Sequence, residues 1–275
     1  MKNKGVSQDD PVGDVYGNSF MDRFHDYRRL ESLWRYQHRA RIKYISENID
    51  KYDGSCNIAL DAGSGKGPNS LLLAKKFRKV YSFEYSADEL SSLKKNIKAE
   101  TGNLSQIVDA QQVDLQMIPL ANESVQFIVC SEVLEHVPDY RKAIQEISRV
   151  CVRGGCLIFS MPNINSLYWQ YSRLIYYAVK IVRKLKGKPP ASGNYDFEEL
   201  ARHWKFSCTD IENIVTSARF SIIERRGIGV LIYNEGLQKF LCNFGLFPIA
   251  DRLDTWLGKK FPRISAIYFL VLIRS

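Results

Sequence analysis

The chain has 275 residues, 45% of them hydrophobic and 25% charged, a composition typical of a soluble globular protein that argues against disorder of the whole chain. The formal net charge of +9 fits either an anionic partner, such as nucleic acid or a membrane surface, or only a basic surface. The N-terminus lacks the apolar stretch of a secretory signal, and no uncharged run reaches the ~18 residues that span a bilayer. These features predict a cytoplasmic protein.

The first fifth of the chain has a helical pattern. Apolar and aromatic residues recur between residues 18 and 49 among many arginines, which predicts one or two helices. We interpret residues 1–50 as an N-terminal helical cap segment and residues 51–275 as the main domain. His25 and His38 lie in the arginine-rich part and need no special role.

From residue 58 the pattern alternates between strand and helix, which predicts a parallel sheet with helices on both faces. Ser86 and Glu89 have the capping-box spacing that begins a helix. Gly154 and Gly155 should break the chain before the fifth strand. The predicted strands are 58–61, 80–84, 107–113, 125–130 and 156–160, and the predicted helices are 69–77, 87–98 and 140–150.

Beyond the fifth strand, residues 166–186 form an aromatic and basic helical pattern without an acidic residue. This pattern suits a membrane interface or an anionic lipid-like acceptor, and equally RNA through stacking and phosphate contacts. It also suits a cap helix with its aromatic face turned inward. Farther on, a helix is predicted at 209–218 and strands at 220–224 and 267–273.

The strongest signal is the glycine-rich sequence DAGSGKG, which runs from Asp61 to Gly67 between the first strand and the first helix. Its glycines permit a tight turn and a close approach of a ligand to the backbone. The spacing G-x-G-x-G differs from the G-x-G-x-x-G of pyrophosphate-binding turns, and the P-loop pattern is absent. Asp61 would repel a pyrophosphate, whereas Glu84, at the end of the next strand, can accept hydrogen bonds from two ribose hydroxyls.

Residues 60–67, together with Glu84, resemble motif I and the following acidic motif of class I S-adenosylmethionine-dependent methyltransferases. The stretches 113–120, 124–130 and 131–139 extend the resemblance over about residues 56–163, and they are similar to the branch that contains quinone-biosynthesis and other small-molecule methyltransferases. Two departures are Val125-Gln126, where the family has Phe-Asp, and Arg219, where it has Gly; neither position contacts the cofactor.

The resemblance implies an α/β fold: a Rossmann-like three-layer αβα sandwich, with a mostly parallel seven-stranded sheet and an antiparallel last strand. A cap insertion is expected at about residues 163–205. The expected cofactor is S-adenosyl-L-methionine, the expected product is S-adenosyl-L-homocysteine, and no metal is indicated.

The resemblance also assigns roles to matched positions. Glu84 would hold the ribose, with Tyr85 near the adenine, while Asp114 would accept from the adenine amino group. The Leu115 amide would donate to the ring, and Asp61 would organise the glycine loop and the methionine end. The complete implied cofactor-binding set is Asp61, Ala62, Gly63, Ser64, Gly65, Gly67, Glu84, Tyr85, Asp114, Leu115, Ser131 and Glu132.

No general base is identified. His136 follows the fourth strand and could serve a hydroxyl acceptor, but a capping or packing role is the preferred interpretation. The expected reaction is methyl transfer to O, N or C of a small-molecule or lipid-linked acceptor, with peripheral contact to an anionic membrane as a further expectation. An RNA-directed methyltransferase, an NAD-dependent oxidoreductase and a non-catalytic protein that binds the cofactor remain alternatives.

Overall fold

The computed structural model describes residues 33–51, 57–100, 104–186, 206–232, 240–241 and 243–275. Residues 1–32 of the expected N-terminal cap segment and residues 187–205 of the expected insertion lie outside the described residues. The division into a cap segment and a main domain therefore stays a prediction.

Seven strands form one sheet in the order β3-β2-β1-β4-β5-β7-β6. The strand β7 runs antiparallel to both of its neighbours, and all other pairs are parallel. This confirms the expected Rossmann-like sheet. The strands are β1 (Ile58–Ala62), β2 (Lys79–Glu84), β3 (Val108–Gln112), β4 (Val125–Ser131), β5 (Cys151–Pro162), β6 (Phe220–Ile228) and β7 (Ile267–Arg274).

Helices cover both faces of the sheet. One hydrophobic cluster joins the sheet to α1, α2, α3 and α8, and a second joins it to α5 and α7 on the other face. The helices are α1 (Leu33–Lys51), α2 (Pro68–Ala74), α3 (Ala87–Ala99), α4 (Leu104–Ile107), α5 (Tyr140–Val150), α6 (Leu167–Leu185), α7 (Cys208–Ser217) and α8 (Phe247–Lys260). In the described part of the chain, none of them has the length and apolar character to cross a bilayer.

The central strands are apolar along most of their length because both of their faces are covered. In β4, Phe127, Ile128, Val129 and Cys130 are fully buried. Continuous apolar runs of this kind are typical of strands in a parallel sheet covered on both faces. The C-terminal ends of β1, β2 and β4 lie at one edge of the sheet, and this edge carries the glycine-rich loop.

Two local predictions need correction. Gly154 and Gly155 do not break the chain, because they lie inside β5, which begins at Cys151 and pairs with β4 through a shift in register. The capping box of α3 is only half formed. The Ser86 hydroxyl accepts from the Glu89 N–H, but the Ser86 N–H donates to Glu84 at 2.8 Å and not to the Glu89 side chain.

Candidate functional site

The glycine-rich loop is tied to the neighbouring strand by its backbone. The N–H groups of Gly63 and Ser64 both donate to the carbonyl of Phe83, at 2.8 and 2.9 Å. Gly63 has a φ of +80°, and a Cβ there would lie 2.5 Å from both methyl carbons of Val133. Backbone conformation and space therefore both require glycine at this position.

The other two glycines of the loop differ in their surroundings. Gly67 has a φ of +93°, and a Cβ there would clash with Leu93. Gly65 has a φ of +52°, and a Cβ at this position would meet nothing within 4 Å. A side chain at Gly65 would therefore extend into open space beside the loop rather than into the protein core.

Glu84 links the end of β2 to this loop. Its Oε2 accepts a hydrogen bond from the Gly65 N–H at 2.8 Å, and its Oε1 accepts one from the Ser86 N–H at 2.8 Å. A carboxylate offers about four lone-pair sites, so about two remain for a ligand.

Asp61 lies beneath the loop. Its side chain is buried and accepts a hydrogen bond from the Ser70 hydroxyl at 2.6 Å, and the Ser82 hydroxyl donates to Ser70 in turn. Burial raises the pKa of Asp61 to about 7, against the opposing effect of the hydrogen bonds from Ser70 and Asn69. The carboxyl group thus supports the loop from the interior.

Two cavities flank the loop and share Gly63, Gly65, Glu89 and Glu132 in their walls. The first has a volume of about 280 Å³ and the second about 570 Å³. Most of the sequence-predicted cofactor residues line one or both, namely Gly63, Ser64, Gly65, Glu84, Tyr85, Asp114, Leu115, Ser131 and Glu132. Asp61, Ala62 and Gly67 do not line either cavity; the side chains of Asp61 and Ala62 and the whole of Gly67 are buried behind it.

The wall of the first cavity contains two buried oxygen atoms without a hydrogen-bond partner among the described residues, Ser64 Oγ and Asn69 Oδ1. Leaving a buried polar atom without a partner costs about 1–3 kcal/mol. Ser64 lies in the turn between β1 and α2 and Asn69 in the first turn of α2, where the resemblance expects the methionine end of a cofactor. Unpartnered atoms in a cavity wall are typical of a site that a polar ligand completes.

Helix α1, which belongs to the expected N-terminal cap segment, supplies a wall of the first cavity. His38, Arg41, Ile42 and Ile45 line it. The Arg41 guanidinium contacts His38 Nδ1 at 2.9 Å, and because arginine only donates, Nδ1 accepts and the ring proton lies on Nε2. The spacing of these four residues places them on one helix face, but the sequence did not predict that they line the cavity, and His38 was expected to have no special role.

Glu132 lies opposite Arg41, with 3.8 Å between Arg41 Nη1 and Glu132 Oε2. Glu132 adopts a left-handed backbone, with φ at +59°, and its N–H donates to the carbonyl of Ser160. The Ser160 hydroxyl contacts Ser131 Oγ at 2.8 Å and Glu132 Oε1 at 3.2 Å. Burial raises the pKa of Glu132, and Arg41 and Ser160 oppose this rise.

The second cavity contains Asp114. Its carboxylate accepts from the backbone N–H of Gln116 and, through both oxygens, from the side-chain amide of Gln116, at 2.9 Å each. These bonds lower the pKa of Asp114, so its charged form is favoured. Tyr85 and His136 also line this cavity; the Tyr85 side chain is exposed, and His136 Nε2 lies 4.0 Å from Glu135 Oε1.

Comparisons with known proteins agree with this fold. The profile of a family described as a methyltransferase domain matches residues 60–159. A ubiquinone biosynthesis O-methyltransferase of Coxiella burnetii is 32% identical over 133 residues, which are 48% of this chain and 54% of that protein. A protein of the same name from Pectobacterium carotovorum is 24% identical over 70% of this chain and 79% of its own length.

The fold likeness extends to solved structures. The geranyl diphosphate C-methyltransferase of Streptomyces coelicolor, solved with S-adenosyl-L-homocysteine, has a TM-score of 0.54 and 13% identity, over 86% of this chain and 79% of its own. The chain spans about half the length of the Coxiella relative. Sheet order, glycine loop and family profile agree, and residues 60–159 are similar to the methyltransferase domain of S-adenosylmethionine-dependent methyltransferases.

Proposed function

We propose that this chain binds S-adenosyl-L-methionine across the two cavities and transfers its methyl group to O, N or C of a small-molecule or lipid-linked acceptor. The observation that carries this proposal is the pairing of Arg41 and Glu132, 3.8 Å apart in the wall of the first cavity. A cation and an anion side by side match an amino-acid group, which carries one charge of each sign.

The first cavity would hold the methionine end. The Arg41 guanidinium is a donor for a carboxylate. Glu132, Ser64 Oγ and Asn69 Oδ1 are acceptors for an ammonium group, and the last two atoms lack a partner among the described residues. Bonds of this kind to charged groups are worth about 1.5–3 kcal/mol each.

The second cavity would hold the nucleoside end. Glu84 has lone-pair sites left for the ribose hydroxyls after it has accepted from Gly65 and Ser86. Asp114 already accepts from the NH₂ group of Gln116, the same kind of donor that the adenine amino group offers. Tyr85 and the Leu115 backbone complete the proposed adenine site.

When bound, S-adenosyl-L-methionine supplies a methyl group on a positively charged sulfur. The contribution of the chain is to align the acceptor and to exclude water, which can lower the barrier by about 7–11 kcal/mol. The carboxylates in both cavity walls favour a cationic ligand. His136 stays a candidate for a general base. The O-methyltransferase name of two relatives favours an oxygen atom as the methyl acceptor.

The same walls disfavour a dinucleotide. Four carboxylates line the second cavity (Glu84, Glu89, Asp114 and Glu132), and its lining in the described part of the chain contains no lysine or arginine. A pyrophosphate carries negative charge and would be repelled there. The structure therefore favours a sulfonium nucleoside over NAD.

Isothermal titration calorimetry with S-adenosyl-L-homocysteine and with NAD tests the cofactor. We expect the first ligand to bind at least tenfold more tightly; tighter binding of NAD would contradict the proposal. Transfer is tested with methyl-tritiated cofactor and a lipid extract as the source of acceptor, with label in the organic phase as the readout. Cofactor binding without turnover on any extract would indicate a non-catalytic protein.

A further inference from the structure

Helix α6 presents an apolar stripe to solvent. Leu174, Ile181 and Leu185 are 68%, 60% and 81% exposed, although isoleucine and leucine are normally buried. The stripe continues in alternating steps of four and three residues along one helix face. Its complete set is Leu167, Tyr171, Leu174, Ala178, Ile181 and Leu185.

The first half of α6 packs against the protein through its opposite side. Trp169 is buried, and Tyr168 and Tyr176 are half-buried. Most of the aromatic residues that the sequence offered for stacking on RNA bases are therefore partly or wholly covered. The expected inward aromatic face is present only in part, and the exposed stripe is mainly aliphatic, which suits hydrocarbon better than bases.

The charges of α6 have one sign. The helix contains Arg173, Lys180, Arg183 and Lys184, its C-cap is Lys186, and it has no acidic residue. Arg173, Lys180 and Lys184 share a face beside the apolar stripe, since their spacing of seven and four residues returns to one side of a helix. An exposed apolar stripe flanked by cations is the pattern of a helix that lies in a membrane interface.

Helix α6 starts near the edge of the sheet that carries the glycine-rich loop. The Asn163 side-chain amide, which follows β5, donates to the carbonyls of Arg263 and Ser265 at 2.8 and 3.0 Å. These bonds tie the start of α6 to the segment after α8. Helix α8 has an exposed apolar stripe of its own, Ile249, Leu253 and Trp256, with Lys260 Nζ 4.9 Å from the Trp256 ring.

We propose that α6 lies flat on an anionic lipid surface, with its apolar stripe among the acyl chains and its cations at the headgroups. Each lysine or arginine near such a surface contributes about 1 kcal/mol of attraction. A second copy of this helix is disfavoured as the occupant because pairing would bring two acid-free, basic surfaces together. The proposal goes beyond methyl transfer and depends only on this surface.

Co-sedimentation of the full chain with vesicles tests the proposal. We expect binding to vesicles of phosphatidylcholine mixed equally with phosphatidylglycerol and little binding to phosphatidylcholine alone. Changing Lys180 and Lys184 together to Gln should weaken binding about thirtyfold. The matched control changes Lys94 and Lys98 on α3, two exposed lysines with the same spacing, and should bind like the wild type.

The apolar stripe needs its own pair of variants. Ile181→Ser should weaken vesicle binding at least tenfold, because most of one isoleucine side chain no longer enters the lipid. Ile223→Ser, at a position 64% exposed on β6, should leave binding unchanged. Circular dichroism checks that each variant is folded.

Three outcomes would overturn the proposal: equal binding to neutral vesicles, α6 variants that bind like their controls, or a dimer in sedimentation velocity that Ile181→Ser dissociates. Stronger binding of single-stranded RNA than of anionic vesicles, dependent on Lys180 and Lys184, would also overturn it. Because the readout is binding and not turnover, failure here leaves the proposed methyl transfer standing.

Discussion

Glu84 Oε2 lies 2.8 Å from the backbone nitrogen of Gly65, so the carboxylate that ends β2 holds the loop that follows β1. The same carboxylate lines the second cavity. One side chain therefore fixes the loop conformation and offers acceptors to a ligand. The shape of the loop and the affinity for a nucleoside should depend on each other.

Replacing Gly65 by Arg should abolish binding of S-adenosyl-L-homocysteine while the chain stays folded. A Cβ at Gly65 meets nothing within 4 Å, and the residue lines both cavities, so an arginine would occupy the ligand space. Calorimetry measures the affinity and thermal denaturation the stability.

Gly154→Arg is the matched control, since Gly154 also has a positive φ, at +74°, and open space around its Cβ position. Placing a side chain in this backbone region costs about 1 kcal/mol or more in both variants. Ligand affinity in Gly65→Arg equal to that of the control would show that the loop is not the binding site.

Replacing Glu84 by Ala should weaken S-adenosyl-L-homocysteine binding by about 1–3 kcal/mol, because charge-assisted bonds to the ribose and to Gly65 are lost together. The contribution of the ribose hydroxyls is measured with the 2′,3′-dideoxy analogue of S-adenosyl-L-homocysteine. The wild type should bind this analogue less tightly than S-adenosyl-L-homocysteine itself. Glu84→Ala should bind the two ligands with equal affinity. Glu89→Ala removes a carboxylate from the same cavities without these bonds and should keep the discrimination.

Replacing Arg41 by Met should weaken S-adenosyl-L-homocysteine binding about 10–100-fold, since a guanidinium beside the proposed carboxylate site is lost. Binding of 5′-methylthioadenosine, which lacks the amino-acid group, should not change. Lys43→Met, at an exposed position of the same helix, is the control. An equal loss for both ligands in Arg41→Met would mean that α1 acts on the whole fold and not on the amino-acid end.

The pKa of Asp61 makes stability depend on pH. Burial raises this pKa from 3.8 to about 7, so between these values the native state binds more protons than the unfolded chain. The free energy of unfolding should therefore fall as the pH rises from 4 to 7, by on the order of 4 kcal/mol for the full shift.

Urea denaturation at pH 5 and pH 8 measures this dependence. Asp61→Asn keeps an oxygen that accepts from Ser70 but cannot ionise, so its stability should change less between the two pH values than that of the wild type. Asp88→Asn removes an exposed carboxylate and should follow the wild type. A pH dependence unchanged in Asp61→Asn would contradict the assignment.

The sequence predicted the parts of the site that depend on local pattern. The sequence shows a glycine-rich turn between a strand and a helix, with acidic residues at the ends of the following strands. Such a pattern can be recognised in a sequence because each element forms from neighbouring residues. The ends of parallel strands must meet at one edge of the sheet. Glu84 could therefore be placed near the loop before any contact was known, and the family resemblance implied the same for Asp114 and Glu132.

Local pattern did not decide which face of a helix is covered. His38 and Arg41 line the first cavity only because α1 packs over the glycine-rich loop. That loop lies more than 20 residues farther along the chain than these two residues. For α6, the sequence showed aromatics and cations but not that its aliphatic stripe faces solvent.

Residue pattern predicted a parallel sheet with helices on both faces and a glycine-rich loop beside Glu84, and the family resemblance added the seven-stranded sheet and the other carboxylates. Only the tertiary structure decided that Asp61 is enclosed beneath the loop, that Arg41 opposes Glu132, and that the apolar side chains of α6 are exposed. The physical reason is that a helix or strand forms from neighbouring residues, whereas burial depends on which distant segments pack against it.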